Sequence, residues 1–189
     1  DGEDVYKYMA SSIYNVPVDG VSKDQRFVGK TTILGAGYGM GAPKFQAQLQ
    51  GMGVYIELDE ARRIIQVYRD ANGAISQLWR DANNMVQYMQ RGDSLQFGKE
   101  GVLQVDARKN AVILPSGLPM FYHGLAAEQG ERGPEYTYKT RKGPNRIYGG
   151  KVVENVCQGV ARCIIGHQML LIAKRYKVVL TVHDSVVAC

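Results

Sequence analysis

This chain of 189 residues lacks the features of several protein classes. It has no apolar run long enough to cross a membrane and no signal peptide, so we expect no membrane association and no secretion. Its three cysteines, Cys157, Cys163 and Cys189, are odd in number and have no metal-ligand spacing. We therefore expect a reduced, cytoplasmic protein (host cytoplasm if the source is viral), in which Cys157 and Cys163 are small core residues.

A strong excess of one charge is also absent. The 23 basic and 18 acidic residues give a net charge of +5, a mild bias that suits nucleic acid but is common in proteins that bind none. One cluster without acids contains Lys139, Arg141, Lys142 and Arg146. It predicts either salt-dependent contacts to a phosphate backbone or an ordinary solvated loop.

The chain also lacks an initiator Met, so we expect a fragment of a longer polypeptide whose N-terminal part is missing.

The periodicity of apolar residues changes from helical to β-like along the chain. Predicted helices cover 4–14, a segment from Ser22 or Asp24 to about 35, 43–51, and 58–89 with Asp59 as a cap and a break at 72–73. Predicted strands cover 102–106, 111–114, 120–122 and 136–140, with a polar loop over 124–134. A long helix over 151–173 and a hairpin with strands at 178–181 and 186–189 complete a predicted α+β fold.

The segment 24–41 carries the most informative pattern, because Arg26, Lys30, Leu34 and Tyr38 recur every four residues. Four helical residues turn about 400°, so these side chains share one slowly drifting face. Two cations suit a polyphosphate, and an apolar residue followed by an aromatic ring suits a sugar and a base. The pattern predicts a nucleotide-binding helix, although spacing alone is equally consistent with a solvated cationic face.

The same residues resemble motif B of the family A DNA polymerases, and the surrounding GKTTILGAGYGMG is most similar to the bacteriophage members. The resemblance implies that Arg26 and Lys30 bind the triphosphate and that Lys30 donates a proton to the leaving pyrophosphate. It places Leu34 near the sugar, where the family often has Phe or Tyr. It also implies that Tyr38 and Gly39 lie beside the template base.

A phosphate-binding P-loop is the competing interpretation of Gly29-Lys30-Thr31. That motif requires a glycine where this chain has Asp24, and an apolar strand before it. Neither is present, and without that glycine the backbone does not wrap a phosphate easily, which argues against a P-loop. 

The predicted hairpin turn reads Val182-His183-Asp184 and resembles motif C of the same family, usually V-H-D-E. The resemblance makes Asp184 a metal ligand and brings His183 to the primer end, while Ser185 replaces the second carboxylate. Alone, a His-Asp dipeptide is more often a polar turn than a site. The other family carboxylate belongs to motif A, D-[FY]-S-x-x-E-x-R, and no D-[FY]-S occurs in this chain. The site for two Mg²⁺ ions is therefore expected to be incomplete.

The segment 148–162 resembles the long palm helix of the phage enzymes, in which a Gln tests base-pair geometry in the minor groove. Gln158 occupies that position. Where the family often has Arg, Asn and Asp, this chain has Gly150, Glu154 and Cys163, so Gln158 alone carries over. Without the resemblance it would be an ordinary solvent-facing Gln.

Two functional hypotheses follow. In the first, residues 1–101 form the mostly helical fingers and 102–189 part of an antiparallel palm with a long helix and a catalytic-type hairpin. The intact protein would be a template-directed DNA polymerase that binds primer–template DNA and dNTP and adds deoxynucleotides to a primer 3′-OH with two Mg²⁺ ions. The isolated chain would be inactive. In the second, the chain is a noncatalytic nucleic-acid- or nucleotide-binding module of the same fold.

Overall fold

The computed structural model describes residues 3–130 and 133–189, and these residues adopt the predicted α+β fold. Within them, five successive α-helices are followed by two antiparallel sheets, a sixth helix and a two-stranded hairpin. The chain divides into two compact units, Asp1–Asp81 with Gly149–Lys151, and Ala82–Tyr148 with Val152–Cys189. The predicted fingers and palm boundary at 101/102 stays a prediction.

The first five helices begin and end close to the predicted positions. They are α1 (Val5–Tyr14), α2 (Lys23–Ala36), α3 (Ala42–Gly51), α4 (Leu58–Ala71) and α5 (Gly73–Arg91). Ser22 caps α2 in a reciprocal capping box, in which its Oγ accepts from the Gln25 amide at 3.2 Å and its own amide donates to Gln25 Oε1 at 3.0 Å. The local signal at Ser22 therefore also explains where α2 begins.

The predicted capping role of Asp59 is wrong. Glu57 occupies the N-cap position of α4, and its side chain makes no capping hydrogen bond. Asp59 lies inside the first turn and instead pairs with Arg62 at 2.6 Å. An acid in the first turn still favours the helix through the macrodipole, which explains why the sequence signal was misassigned by two positions.

The core of the first unit is built from four of these helices. Phe45, Leu49, Ala61 and Ile64 are fully buried, and Met9, Ile13, Val28 and Tyr68 join them. The spacing of Ala61, Ile64, Ile65 and Tyr68 forms one apolar stripe along α4. This packed core supports the buried face of α2.

Two antiparallel meanders follow α5. The first comprises β1 (Leu95–Phe97), β2 (Leu103–Asp106), β3 (Ala111–Ile113) and β4 (Pro119–Phe121), paired in sequence order. The second comprises β5 (Ala126–Gly130), β6 (Gly133–Thr140) and β7 (Gly143–Ile147). Representative partners are Val105 with Val112 and Tyr138 with Asn145.

The predicted polar loop over 124–134 is largely wrong, because β5 and the start of β6 lie there; residues 131 and 132 are outside the described part of the chain. The sequences of β5 (AAEQG) and β7 (GPNRI) have low β-propensity. They become strands by pairing on either side of β6, which shows tertiary context overriding propensity. Pro144 is tolerated because β7 is an edge strand.

The core of the second unit lies among the C-terminal half of α5, the meanders and α6 (Gly149–Ile172). Met85, Met89, Val112, Tyr122 and Val152 are almost completely buried. The prediction that Cys157 is a core residue is wrong, since its side chain is exposed; Cys163 is half-buried. The helical apolar pattern of α6 is broad, so periodicity alone did not resolve which side packs.

The hairpin of β8 (Val178–Val182) and β9 (Ser185–Ala188) closes the described chain. Its partners include Thr181 with Val186 and Val182 with Ser185, with an irregularity between Val178 and Leu180. Among the described residues, no helix is both long enough and apolar enough to span a membrane.

Candidate functional site

Helix α2 has one buried face and one open face. Val28, Thr31, Thr32, Gly35 and Ala36 are buried, and the fully buried Thr32 hydroxyl donates to the Val28 carbonyl oxygen at 2.8 Å. This bond satisfies a polar group that would otherwise be costly to bury. The face with the motif residues points the other way: Arg26 is half-exposed, and Lys30 and Leu34 are exposed.

A glycine lets α1 approach the motif helix closely. A Cβ built on Gly29 would collide with the carbonyl oxygen of Tyr6 and lie 3.0 Å from the amide nitrogen of Ala10. The close approach places the Tyr6 ring beside both cations of the motif. Its centroid is 5.2 Å from the Arg26 guanidinium carbon and 6.0 Å from Lys30 Nζ, which is cation–π range.

The carboxylate of Asp4 joins α1 to α2. Its Oδ1 accepts from the backbone N–H groups of Tyr6 and Lys7 at 3.1 and 3.2 Å, which caps α1. Its Oδ2 accepts from Arg26 Nε at 2.6 Å. The hydrogen bond from Arg26 is the main cause that lowers the pKa of Asp4 below its usual value; the helix-capping amides act in the same direction, and partial desolvation opposes them.

The two predicted triphosphate-binding cations therefore differ in their surroundings. Arg26 is paired with a carboxylate, whereas the ammonium group of Lys30 lies on the exposed face beside an aromatic ring. Sequence reasoning missed the contributions of Asp4 and Tyr6 to this face. No periodic signal reports a pairing across 22 positions, although Asp4 is recognisable as a helix cap.

The predicted template-side residues follow the end of α2. Gly37 is the C-cap residue, Tyr38 and Gly39 form the next turn, and Gly39 has a φ of 80°. Tyr38 is half-buried and lies within electrostatic range of Tyr68 on α4. Burial is the main cause that raises the pKa of Tyr68, and Tyr38 adds to it.

His183 and Asp184 form the turn between β8 and β9, as predicted for the hairpin. His183 has a φ of 52°, the left-handed region that tight turns use. Both side chains and Ser185 are exposed. Across 3–130 and 133–189, no group of three or more His, Cys, Asp or Glu residues is arranged to hold a metal ion. One carboxylate supplies too few ligands to hold two ions, so these residues do not fit a complete two-metal site.

Gln158 is exposed on α6, and its amide donates to Glu154 Oε1 at 3.3 Å. This i, i+4 contact orients the amide along the helix. Gln158, His183 and Asp184 belong to the second compact unit, whereas Arg26, Lys30, Leu34, Tyr38 and Gly39 belong to the first. Within the first unit, the predicted residues share α2 and the turn after it.

The basic cluster lies at the β6–β7 hairpin. Lys139, Arg141, Lys142 and Arg146 are exposed, and Arg146 pairs with Glu135 on β6. The stem of Lys139 lies against Gly124, where a built Cβ would be 3.1 Å from Lys139 Cδ. The geometry is compatible with both predictions made for the cluster, a backbone contact and a solvated hairpin.

Comparisons with known proteins place this geometry in context. Residues 1–111 match the family described as DNA polymerase family A. The chain is 30% identical over 194 aligned positions to a DNA polymerase of Bacillus phage SP02, covering 97% of this chain and 30% of that protein. Its fold is similar to the POL domain of Pol1 from M. smegmatis in complex with DNA primer-template and dNTP, with a TM-score of 0.53, 21% identity, and coverage of 98% of this chain and 27% of the other. The chain thus spans less than a third of either protein.

Proposed function

Because this chain belongs to DNA polymerase family A, we propose that it carries the nucleotide-binding helix of a phage-type, template-directed DNA polymerase. The observation that carries the proposal is the two-faced α2. Its buried face fixes the helix on the core, and its open face presents Arg26, Lys30 and Leu34 in the predicted order. The whole enzyme would add deoxynucleotides to a primer 3′-OH and would act in the cytoplasm of the host cell.

In this proposal Arg26 and Lys30 bind the triphosphate of the incoming nucleotide. Negative charge develops on the bridging and leaving oxygens during phosphoryl transfer, so a cation held there stabilises the transition state more than the ground state. Lys30 also donates a proton to the leaving pyrophosphate. Its ammonium lies on an exposed face beside Tyr6, where a polyphosphate can reach it.

Arg26 binds the same polyphosphate without giving up its bond to Asp4. Its Nε is hydrogen-bonded to Asp4, and a guanidinium has further N–H donors that can bind a phosphate while that bond persists. Leu34 contacts the sugar of the nucleotide, and Tyr38 with Gly39 contacts the template base. These roles follow the order of the residues along α2 and the turn after it.

The second unit contributes DNA contacts. Gln158 tests the minor groove of the primer–template, and His183 approaches the primer end. Asp184 provides one carboxylate to a divalent metal, Mg²⁺, which would neutralise developing phosphate charge in the intact enzyme. We propose that the remaining carboxylates are supplied by an N-terminal region of the same polymerase and that the chain alone is inactive.

A noncatalytic nucleic-acid- or nucleotide-binding module is the second candidate. It is favoured by Ser185 in place of a carboxylate and by the lack of a three-ligand metal cluster in the described ranges. Primer extension separates the candidates. We expect the isolated chain to extend no primer with Mg²⁺ and the intact polymerase to extend it; extension by the isolated chain would contradict the proposed division of metal ligands.

The role of Lys30 is tested in the intact polymerase with Lys30→Ala, using Lys44→Ala, an exposed lysine of α3, as the matched control. Single-turnover incorporation should slow on the order of a hundredfold for Lys30→Ala, the scale expected for a lost general acid, while primer–template affinity changes little. Lys44→Ala should leave both unchanged. Equal losses of rate and of primer–template affinity would contradict a chemical role for Lys30.

A further inference from the structure

A second glycine, Gly150 in α6, lies close to the backbone of the turn that follows α2. Gly150 is buried in the first turn of that helix and belongs to the same compact unit as α2. A Cβ built on Gly150 would lie 2.5 Å from the carbonyl oxygen of Tyr38, 2.8 Å from its carbonyl carbon, and 3.2 Å from the amide nitrogen of Gly39. These are backbone atoms, which cannot rotate away as a side chain could.

The turn that Gly150 contacts also lies close to Tyr68 on α4. A Cβ on Gly37 would lie 3.5 Å from the Tyr68 hydroxyl, and Tyr38 is close enough to Tyr68 to raise its pKa. Tyr68 is itself buried and stacks on Trp79, with ring centroids 6.4 Å apart. The backbone of Tyr38 therefore lies between Gly150, in the first turn of α6, and Tyr68 on α4.

A glycine inside a helix is unfavourable unless its missing side chain serves a contact. Gly166 of the same helix has no atom within 4 Å of its built Cβ, so an alanine would fit there. Gly150 differs because an alanine would have to push the Tyr38 backbone back by about 1 Å to reach ordinary contact distance. A comparison of alanine at the two positions therefore separates the effect of helix propensity from the effect of the close backbone approach.

We propose that Gly150 is a positioning residue for Tyr38: its bare Cα lets the turn after α2 seat against α6, and this seat sets where the Tyr38 ring meets the template base. The inference rests on the proposed function for the role of Tyr38, but the seat itself does not. Nucleotide selection then depends on a residue that touches neither the nucleotide nor the template.

The test compares Gly150→Ala with Gly166→Ala in the intact polymerase. For Gly150→Ala, the ratio of correct to incorrect nucleotide incorporation should fall on the order of tenfold, because small displacements of positioned groups have large kinetic effects. Primer–template affinity should not change. Gly166→Ala should keep the wild-type ratio within about twofold. An unchanged ratio in a folded Gly150→Ala enzyme would overturn the inference.

A thermodynamic cycle separates positioning from general damage. Gly150→Ala introduced into a Tyr38→Ala enzyme should lower the incorporation ratio no further, because the ring that it displaces is already gone. Additive losses would mean that Gly150 acts by another route. If Gly150→Ala alone does not fold, the Gly166→Ala change can be added to raise the helical propensity of α6. Failure to fold even then would contradict a local positioning role.

A spectroscopic readout distinguishes this inference from the proposed function. Fluorotyrosine at position 38 should show a changed ¹⁹F shift in Gly150→Ala and an unchanged one in Gly166→Ala. If the shift changes but Tyr38→Ala has no effect on nucleotide selection, the seat stands and the proposed role of Tyr38 fails. If Tyr38→Ala impairs selection but the shift is unchanged in Gly150→Ala, the proposed function stands and the seat fails.

Discussion

The motif helix and the His183-Asp184 hairpin are held in place in physically different ways. Helix α2 has a buried face on a packed core, and Asp4 and Tyr6 of the α1 region contact the cations of its open face. In the hairpin, Val179, Leu180, Val182 and Val187 are each about half exposed. One region is held by packing on several sides, whereas the other is held mainly by its own β-ladder.

The two regions therefore depend on different kinds of support. A two-stranded hairpin is only marginally stable without further packing, so the position of Asp184 depends on what covers these strands. The position of Lys30 depends on the helical core of this chain. Substitutions should therefore affect folding strongly near α2 and weakly in the hairpin.

The largest expected effect compares two leucines. Leu49→Ala empties a fully buried position and should lower the free energy of unfolding by about 2–5 kcal/mol. Leu180→Ala, at a position 55% exposed in the hairpin, should lower it by less than about 0.5 kcal/mol. Urea unfolding midpoints of the chain, compared at equal m-value, measure both. Similar losses would mean that the hairpin is packed as firmly as the core.

A smaller effect is expected from the glycine at the α1–α2 contact. Gly29→Ala should destabilise the chain by about 1–3 kcal/mol, because its methyl group would meet the Tyr6 backbone. Gly166→Ala should instead stabilise it by about 0.5–1 kcal/mol through helix propensity. Thermal unfolding of the two variants measures the contrast. A stabilising Gly29→Ala would show that α1 does not approach α2 this closely.

The smallest expected effect on the free energy of unfolding comes from the ion pair between Asp4 and Arg26. The dependence of that free energy on pH tests it. Asp4→Asn keeps an N-cap oxygen but removes the charge. Because the pKa of Asp4 is lowered in the folded chain, its contribution to stability is fully present above the ordinary value of 3.8 and is lost as the pH falls through the folded pKa. The stability difference between wild type and Asp4→Asn should therefore shrink in acid. A difference that grows below pH 3.8 would contradict the pairing.

Local signals predicted most of the helical architecture. The cap at Ser22 (one of the two predicted positions), the end of the first helix at residue 14 and the break at 72–73 depend on a few neighbouring residues, so they are visible in the sequence and present in the fold. The strands β1, β5 and β7 were not predicted. Strand β1 has only three residues, and β5 and β7 have weak β-propensity, so all three depend on pairing with neighbours that the sequence does not place beside them.

The sequence by itself determined family membership and the face of α2 that carries the motif residues, because each motif and the helical period are properties of a continuous segment. Only the tertiary structure decided that Asp4 pairs with Arg26, that Tyr6 lies beside Arg26 and Lys30, and that Gly150 meets the Tyr38 backbone. These contacts join residues far apart in the chain. Their distances depend on how closely whole helices pack, which no single segment encodes.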